Sequence, residues 1–196
     1  MKDKILTSTV WPFGLDKVAT WAWQENVFTP EECDKIINIS KAKGTITAGI
    51  SKEKIVNKKI RNSDIVFMFP NELTFAFEKL THAITQINNN YYQFDIFGFA
   101  EGLQFTVYKK NQKYGRHVDR AFKTMTRKLS VSVQLSDPKD YKGGDLILYE
   151  GEHGFESKRS QGSITVFPSF VEHEVKPVTK GTRYSLVGWI TGKDFK

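Results

Sequence analysis

The sequence predicts a mainly β fold (α+β overall) with helices at its amino-terminal end, and three observations support this prediction. All helix signals occur before Phe94. From Phe94 onward, short runs rich in β-branched and aromatic residues alternate with turn-like segments. In one of these runs, RKLSVSVQLS, apolar residues alternate with Ser130, Ser132 and Gln134, so one face of the strand is apolar and the other is polar. This pattern favours a barrel that packs helices on its outside and holds a polar site inside.

The first helix is predicted in the segment TPEECDKIINISKAKG. Thr29 is the expected N-cap, Pro30 takes the first helical position and Glu32 lies three residues after the threonine, which is the pattern of a capping box. Cys33 falls on the apolar stripe of this helix and is predicted to be a small core residue. Gly44 is expected to end the helix.

The second predicted helix follows Pro70, where apolar residues recur at spacings of three and four. These residues are Leu73, Phe77, Leu80, Ile84 and Ile87. His82 lies on the opposite side of the helix and is predicted to be a surface residue. The segment between the two helices, TITAGISKEKIVNKKIRNSDIVFM, is predicted to form a strand, a lysine-rich loop and a second strand.

The second half of the chain is predicted to form short strands in GLQFTVYKK, RKLSVSVQLS, DLILYEG, GSITVFPS and TRYSLVGWI. The segments that separate them, KNQKYG, DPKDYKGG, EGEHGFESKRSQG and KPVTKG, have the composition of turns. Because the chain has no repeats, low-complexity tracts or Gly/Ser linkers, we expect a single domain over residues 21–196, preceded by an arm of residues 1–20.

The composition is that of an ordinary globular protein of 196 residues, with a net charge of +7. No apolar run reaches the length of a transmembrane helix, and MKDKILTSTVWPF lacks the apolar stretch of a secretory signal, so a cytoplasmic protein without a membrane partner is expected. The single cysteine excludes an internal disulfide and a cysteine-based metal cluster. The positive charge fits either simple solubility or attraction of acidic partners; nucleic acid is not the expected partner.

The stretch YGRHVDR places His117 and Asp119 two residues apart, so in an extended chain both side chains point to the same side. A metal would need a third ligand, and the β half contains two further histidines, His153 and His173. His153 lies in a polar, glycine-flanked loop and is expected to be exposed, whereas His173 follows the apolar run ITVFPSF. Two histidines and one carboxylate form the facial triad that suits Fe(II), and the same three residues could also hold catalytic zinc.

Arg183 lies ten residues after His173, inside the predicted strand TRYSLVGWI. In that strand Arg183, Ser185 and Trp189 face the same way. An arginine directed into a barrel, with a serine two residues further on, makes a bidentate clamp for a carboxylate. Taken alone, Arg183 would more simply belong to a surface ion pair, but together with the three candidate metal ligands it favours a carboxylate-binding site.

The ordered set of motifs resembles the Fe(II)/2-oxoglutarate-dependent dioxygenases, and specifically their prolyl 4-hydroxylase-like branch. The segments that carry the resemblance are FTPEECDKII, YKKNQKYGRHVD, LSDPKDYKGGDLILY and HEVKPVTKGTRYSLVGWI, so it covers nearly the whole chain from Trp21 onward. YGRHVD is also similar to the corresponding segment of the oxygen-sensing prolyl hydroxylases, and arginine at position 183 is typical of bacterial, phage and oxygen-sensing members. The resemblance implies a double-stranded β-helix, a squashed jelly-roll or cupin-like barrel braced by amino-terminal helices.

The same resemblance implies roles for individual residues. The iron ligands that it implies are His117, Asp119 and His173. The catalytic and cosubstrate-binding residues that it implies are Arg183 and Tyr108, with Ser185 and Gln134 as further candidates for the pocket. Gln134 stands where some relatives have a second tyrosine. The candidate substrate-binding residues are Trp189, Lys58, Arg61 and Arg116.

The implied activity is hydroxylation of proline, favoured at the 4-position, in a peptide or protein substrate. Dioxygen and 2-oxoglutarate are consumed, Fe(II) is the metal, ascorbate is a candidate reductant, and 2-oxoglutarate is converted to succinate and CO2. Three alternatives stay open. They are a dioxygenase acting on another amino acid or a small metabolite, a zinc hydrolase with Glu172 or Glu174 as its base, and a non-catalytic ligand-binding barrel.

The lysine-rich loop from Gly49 to Ile60 is long for a hairpin connection, and in prolyl hydroxylase relatives the matching loop folds over the peptide. Its lysines, with Arg61 just beyond, would then favour peptides that carry acidic residues near the target proline. The alternative is a solvated loop without that role.

Overall fold

The computed structural model describes residues 18–48, 60–120 and 126–193. Helix α1 spans Pro30–Lys43, and helix α2 spans Pro70–Ile87 and continues into a π-helical turn at Asn88–Tyr92. Both helices begin at the prolines that the sequence indicates. Most of the predicted arm, residues 1–20, lies outside the described residues, as does nearly all of the lysine-rich loop.

The first turn of α1 is held by the predicted capping box. The hydroxyl of Thr29 accepts the backbone N–H of Glu32 at 3.2 Å, and the Glu32 carboxylate accepts the backbone N–H of Thr29 at 2.9 Å. Gly44 ends the helix with φ +84° and donates its N–H to the carbonyl of Lys41. Cys33 is fully buried, and burial raises the pKa of its thiol to about 12, so the prediction of a core residue is confirmed.

The strands of the described residues form three sheets, in which every neighbouring pair is antiparallel. In chain order the strands are β1 (Ala22–Gln24), β2 (Ile46–Thr47), β3 (Arg61–Asn62), β4 (Asp64–Met68), β5 (Ile96–Phe99), β6 (Leu103–Tyr108), β7 (Lys113–His117), β8 (Arg127–Gln134), β9 (Lys142–Gly143), β10 (Leu146–Glu150), β11 (His153–Glu156), β12 (Ile164–Pro168), β13 (His173–Val175), β14 (Val178–Lys180) and β15 (Arg183–Gly192). The largest sheet has the order β1-β12-β8-β15-β6-β4-β2, and β5 also pairs with β15. The second sheet has the order β11-β10-β13-β7-β3, and β9 pairs with β14 in a small third sheet.

The largest sheet has one apolar and one polar face. Leu186 of β15 lies opposite Val133 of β8, and both belong to the core that the sheet shares with the two helices. One residue earlier, Ser185 lies opposite Gln134 of β8 and Thr106 of β6, and these three residues are also buried. Because residues opposite each other in an antiparallel pair point to the same face, the buried polar side chains line the interior of the barrel. The alternation predicted for RKLSVSVQLS is therefore confirmed.

Helix α2 packs on the apolar face of this sheet. Its predicted apolar residues Leu73, Leu80, Ile84 and Ile87 are buried there, while His82 is exposed, as predicted. In the part of the chain that the structure describes, no helix combines the length and the apolar character needed to cross a bilayer.

All four segments predicted as turns contain strand residues, so those predictions were wrong in part. Strand β7 begins inside KNQKYG, β9 lies inside DPKDYKGG, β11 lies inside EGEHGFESKRSQG, and β14 lies inside KPVTKG. Strands β11 and β14 each have a single partner, and their sequences, HGFE and VTK, lack the longer β-branched or aromatic runs that indicate a strand. Strands β11 and β14 are therefore stabilised by backbone pairing with β10 and β9 and not by the β propensity of their own residues.

Candidate metal centre

The structure brings the three candidate metal ligands together. His117 is the last residue of β7 and lies directly opposite His173, the first residue of β13. Asp119 follows β7 by two residues. The Nε2 atoms of His117 and His173 lie 3.8 Å and 3.5 Å from the two carboxylate oxygens of Asp119, and the ligand atoms of all three residues lie within 4.8 Å of one another.

Backbone carbonyls fix the orientation of both imidazole rings. Nδ1 of His117 lies 2.8 Å from the carbonyl oxygen of Gly115, and Nδ1 of His173 lies 3.0 Å from that of Val171. A carbonyl only accepts, so each histidine is assigned the tautomer with its proton on Nδ1, and Nε2 keeps its lone pair. The two lone pairs are thus available on the side of Asp119, the arrangement that a metal-binding histidine needs.

Asp119 is held by backbone and side-chain contacts from two other segments. Its backbone N–H donates to the carbonyl of Ser169 at 3.0 Å. Its Oδ2 accepts the hydroxyl of Ser130 at 2.7 Å, and the hydroxyls of Ser130 and Ser169 lie 3.0 Å apart. Ser130 was not predicted as a site residue, and its place on the polar face of β8 was the only signal.

The protonation states of these groups suit a divalent cation. Burial, followed by the nearby His173, lowers the pKa of His117 to about 4, so its imidazole is neutral near pH 7. Burial acts to raise the pKa of Asp119, but His173, His117 and the Ser130 hydroxyl together lower it by more than burial raises it. The net pKa is below the usual value, so the group is a carboxylate. Two imidazoles and one carboxylate fit Fe(II) with open coordination positions, and by donor type they also fit zinc.

Arg183 lies in the same interior, at the start of β15 opposite Tyr108 of β6. Only 4% of Arg183 is exposed. Its Nε donates to Oε1 of Gln134 at 3.1 Å, and none of the described carboxylates lies within 4.0 Å of its guanidinium. Since an unpaired buried charge is costly, this guanidinium is suited to bind an anion that enters from outside.

Tyr108 lies beside the arginine, directly opposite it on β6. The centroid of its ring is 5.7 Å from the Arg183 guanidinium. Burial raises the pKa of its hydroxyl, and the charges of both Arg183 and Asp119 act on it. The hydroxyl therefore stays protonated and can donate a hydrogen bond.

Two of the candidate substrate residues lie near the metal centre. Arg61 is buried, donates to Oε1 of Gln104 at 3.2 Å and lies 4.6 Å from the centroid of the Tyr114 ring, which in turn stacks on His117 at 3.6 Å. Trp189 lies opposite Ser130 and is 7% exposed.

The indole of Trp189 is close to Asp119 and helps to lower the pKa of that carboxylate. Within the described residues, however, its Nε1 has no hydrogen bond of normal geometry. The guanidinium of Arg127 covers the ring at 3.9 Å and pairs with Glu101 at 2.7 Å.

Arg116 is not brought to the site. Neighbouring residues of a strand point to opposite faces, so Arg116 lies on the far side of β7 from His117. There it donates to Glu172 at 2.5 Å and lies 3.8 Å from the centroid of the Tyr149 ring. The structure thus places Arg116 away from the candidate metal ligands, and its role in substrate binding stays a prediction. Lys58 lies outside the described residues.

The same outer face holds the two glutamates considered as bases for a zinc hydrolase. Glu172 pairs with Arg116, and Glu174 accepts the hydroxyl of Tyr149 and pairs with Lys176 at 2.6 Å. Glu174 alternates with His173 and therefore faces away from the metal centre. Neither glutamate is positioned to activate a metal-bound water.

Comparisons with known proteins agree with this site. Residues 103–191, which include all three candidate ligands and Arg183, match the model of the 2OG-Fe(II) oxygenase superfamily. A PKHD-type hydroxylase of Prochlorococcus marinus (strain MIT 9312) is 32% identical over 137 residues, covering 69% of this chain and 51% of the relative. A PKHD-type hydroxylase from a second strain of the same species is 40% identical over 92 residues, covering 46% of this chain and 42% of the relative. The chain spans about half the length of these curated relatives.

Solved structures with the same fold include several prolyl hydroxylases. A Pseudomonas putida prolyl-4-hydroxylase has a TM-score of 0.71 and 22% identity, covering 89% of this chain and 93% of that one. A Trichoplax adhaerens prolyl hydroxylase, in complex with a hypoxia inducible factor peptide fragment, has a TM-score of 0.74 and 18% identity, covering 88% of this chain and 84% of that one. At these identities the likeness shows the fold, and the predicted double-stranded β-helix is confirmed.

Proposed function

We propose that this chain hydroxylates proline in a peptide or protein substrate, because its residues 103–191 match the model of the 2OG-Fe(II) oxygenase superfamily. The overall reaction inserts one oxygen atom of O2 into a C–H bond. The other oxygen atom goes into the succinate that forms, with CO2, from 2-oxoglutarate. The superfamily implies Fe(II), O2 and 2-oxoglutarate, and ascorbate is part of the proposal as an auxiliary reductant.

The observation that carries the proposal is that three candidate metal ligands and a buried arginine without an acidic partner among the described residues share one interior. His117, Asp119 and His173 would hold Fe(II), which supplies the activation of O2 when bound. Arg183 would bind the distal carboxylate of 2-oxoglutarate. That carboxylate carries the negative charge needed to pair with the buried guanidinium, and none of the described carboxylates provides it. A hydrolase would have no use for this arginine.

The remaining interior residues would orient the cosubstrate and keep water out. The Tyr108 hydroxyl would donate to the same carboxylate as Arg183, and Ser185 adds a buried hydroxyl opposite Gln134. Trp189 would separate the cosubstrate from the substrate, since its ring lies next to Asp119. Burial of these groups strengthens their electrostatic interactions with the ligand and limits side reactions with water.

The choice of proline rests on the relatives. The matched relatives are named as PKHD-type hydroxylases, and the structures that share the fold are described as prolyl hydroxylases. Arg61 stacks on Tyr114 beside the metal centre, and both residues would contact the peptide in this proposal. Hydroxylation at the 4-position and a preference for acidic flanks, mediated by Lys58 and its neighbours, belong to the same proposal.

The test incubates the protein with Fe(II), ascorbate, 2-oxoglutarate and peptides that contain proline between acidic, neutral or basic neighbours. Mass spectrometry measures the gain of one oxygen atom, and succinate is measured in parallel. Matched peptides with alanine in place of proline are the control. The proposal expects oxygen gain only in proline peptides, with the greatest yield for acidic ones. Succinate formation without peptide oxidation would refute proline as the substrate, and the absence of both would refute the oxygenase.

A further inference from the structure

We propose that Tyr141 is a further cosubstrate-binding residue, whose hydroxyl donates a hydrogen bond to the carboxylate that Arg183 binds. This inference rests on the proposed function. Tyr141 lies in the segment DPKDYKGG, immediately before β9, and none of the sequence patterns singles it out. Only 3% of it is exposed.

The amide of Gln134 links Tyr141 to Arg183. Its Oε1 accepts Nε of Arg183 at 3.1 Å, and its Nε2 donates to the carbonyl of Ser136 at 3.2 Å and to the hydroxyl oxygen of Tyr141 at 2.8 Å. The orientation of this amide is unambiguous, because arginine can only donate and a carbonyl can only accept. An inverted amide would place donor against donor and acceptor against acceptor.

This orientation decides the role of the Tyr141 hydroxyl. Its oxygen accepts one of the two amide hydrogens of Gln134, so its own hydrogen remains available for another acceptor. None of the described residues accepts that hydrogen. A buried hydroxyl hydrogen normally has an acceptor, and here an acceptor is expected from a molecule that enters the site.

Gly144 places the tyrosine next to the arginine. A Cβ atom at Gly144 would lie 3.2 Å from Cδ of Arg183 and 3.6 Å from Cε2 of Tyr141, so the two side chains lie side by side across this glycine. The same Cβ would lie 2.8 Å from a methyl of Val178, and φ is +70°, so only glycine fits without strain.

A dicarboxylate fits this arrangement better than an acid that lacks the second carboxylate. The terminal nitrogens of Arg183 have no acidic partner among the described residues and offer two parallel N–H groups to one carboxylate. A carboxylate has lone pairs beyond those that the guanidinium uses, and the Tyr141 hydroxyl can donate to one of them. Gln134 has both amide hydrogens engaged and acts instead as the positioning residue for both neighbours.

The experiment compares two 2-oxo acids on protein loaded with Mn²⁺, so that binding is measured by calorimetry without turnover. 2-Oxoglutarate carries the distal carboxylate, and 2-oxobutyrate does not. Tyr141→Phe keeps the ring and removes only the hydroxyl. Its matched control is Tyr149→Phe, because Tyr149 lies on the outer face and bonds Glu174.

In Tyr141→Phe, the Kd for 2-oxoglutarate is expected to rise about tenfold or more, since a hydrogen bond to a charged group is lost. The Kd for 2-oxobutyrate should not change, and Tyr149→Phe should change neither value. An equal rise for both acids, or no rise for 2-oxoglutarate, would overturn the inference.

Arg183→Ala separates this inference from the proposed function. If Arg183→Ala weakens 2-oxoglutarate and Tyr141→Phe does not, the inference fails and the proposed function stands. If the unmodified protein does not bind 2-oxoglutarate, both fail.

Discussion

At the level of single residues, the candidate metal centre depends on how Asp119 is held. Each of its two carboxylate oxygens lies near one of the histidines, and the same carboxylate accepts the hydroxyl of Ser130 at 2.7 Å. Ser130 in turn contacts Ser169, whose carbonyl accepts the backbone N–H of Asp119. Outer hydrogen bonds of this kind orient a ligand and reduce the cost of ordering it when the metal binds.

We therefore expect Ser130→Ala to weaken the binding of Fe(II) or Mn²⁺ by about 10- to 100-fold, which is the usual effect of removing such a partner. A chelating dye in competition with the protein measures this affinity. Ser132→Ala is the matched control, because Ser132 lies on the same face of β8 and none of the described residues is bonded to its hydroxyl. Equal affinities in the two variants would mean that Asp119 is positioned without Ser130.

Arg183 gives a second prediction at this level. Arg183→Ala should raise the Kd for 2-oxoglutarate about 100-fold or more and leave metal affinity nearly unchanged, because a charge-assisted bidentate contact is lost from a buried pocket. Arg183→Lys should have a Kd for 2-oxoglutarate between those of the unmodified protein and of Arg183→Ala, since an ammonium keeps the charge but lacks the planar fork. Calorimetry on Mn²⁺-loaded protein measures the Kd for 2-oxoglutarate, and a titration of Mn²⁺ into the metal-free protein measures the metal affinity. Unchanged binding of 2-oxoglutarate would place its carboxylate elsewhere.

At the level of helices and strands, the helices were the easiest part to predict, because their signals are local. Thr29, Pro30 and Glu32 carry the start of α1 within four residues, and the structure shows the same contacts. The strands were harder. β11 and β14 form because β10 and β9 offer free backbone groups, and that information lies elsewhere in the chain.

The capping box provides a prediction for α1. Thr29→Ala should lower the free energy of unfolding by about 1 kcal/mol, because the Glu32 backbone N–H loses its acceptor. Urea denaturation followed by circular dichroism measures the difference. Thr45→Ala, just beyond the end of the same helix at an exposed position, is the control and should change the stability by less. Similar losses in both variants would show that the cap contributes little.

Across the protein, the alternation of apolar and polar residues along β8 and β15 provides residues for both the core and the candidate site. Leu186 and Val133 pack towards the helices, while Ser185 and Gln134 face the interior. Sequence periodicity could therefore predict that a polar interior exists. It could not predict that Arg116 lies outside, because the direction of β7 relative to the site depends on its pairing with β13.

Other parts of the site could not be predicted because they depend on contacts between distant segments. The hydrogen bond from Gln134 to Tyr141 requires the β8–β9 connection to fold back onto β8, and Ser130 reaches Asp119 from a different strand. His117 and His173 were predictable as a pair only through their residue types, yet the register places them directly opposite each other.

If His117, Asp119 and His173 form the iron site of a 2-oxoglutarate-dependent oxygenase, succinate formation must depend on His173 and not on the other histidine of the β half. Anaerobic protein is loaded with one equivalent of Fe(II) and with 2-oxoglutarate, O2 is admitted, and succinate is measured in the unmodified protein, in His173→Ala and in His153→Ala. We predict succinate in the unmodified protein and in His153→Ala, whose altered residue is exposed on β11, and none above background in His173→Ala. Full succinate formation in His173→Ala, or its absence from the unmodified protein, would contradict this assignment.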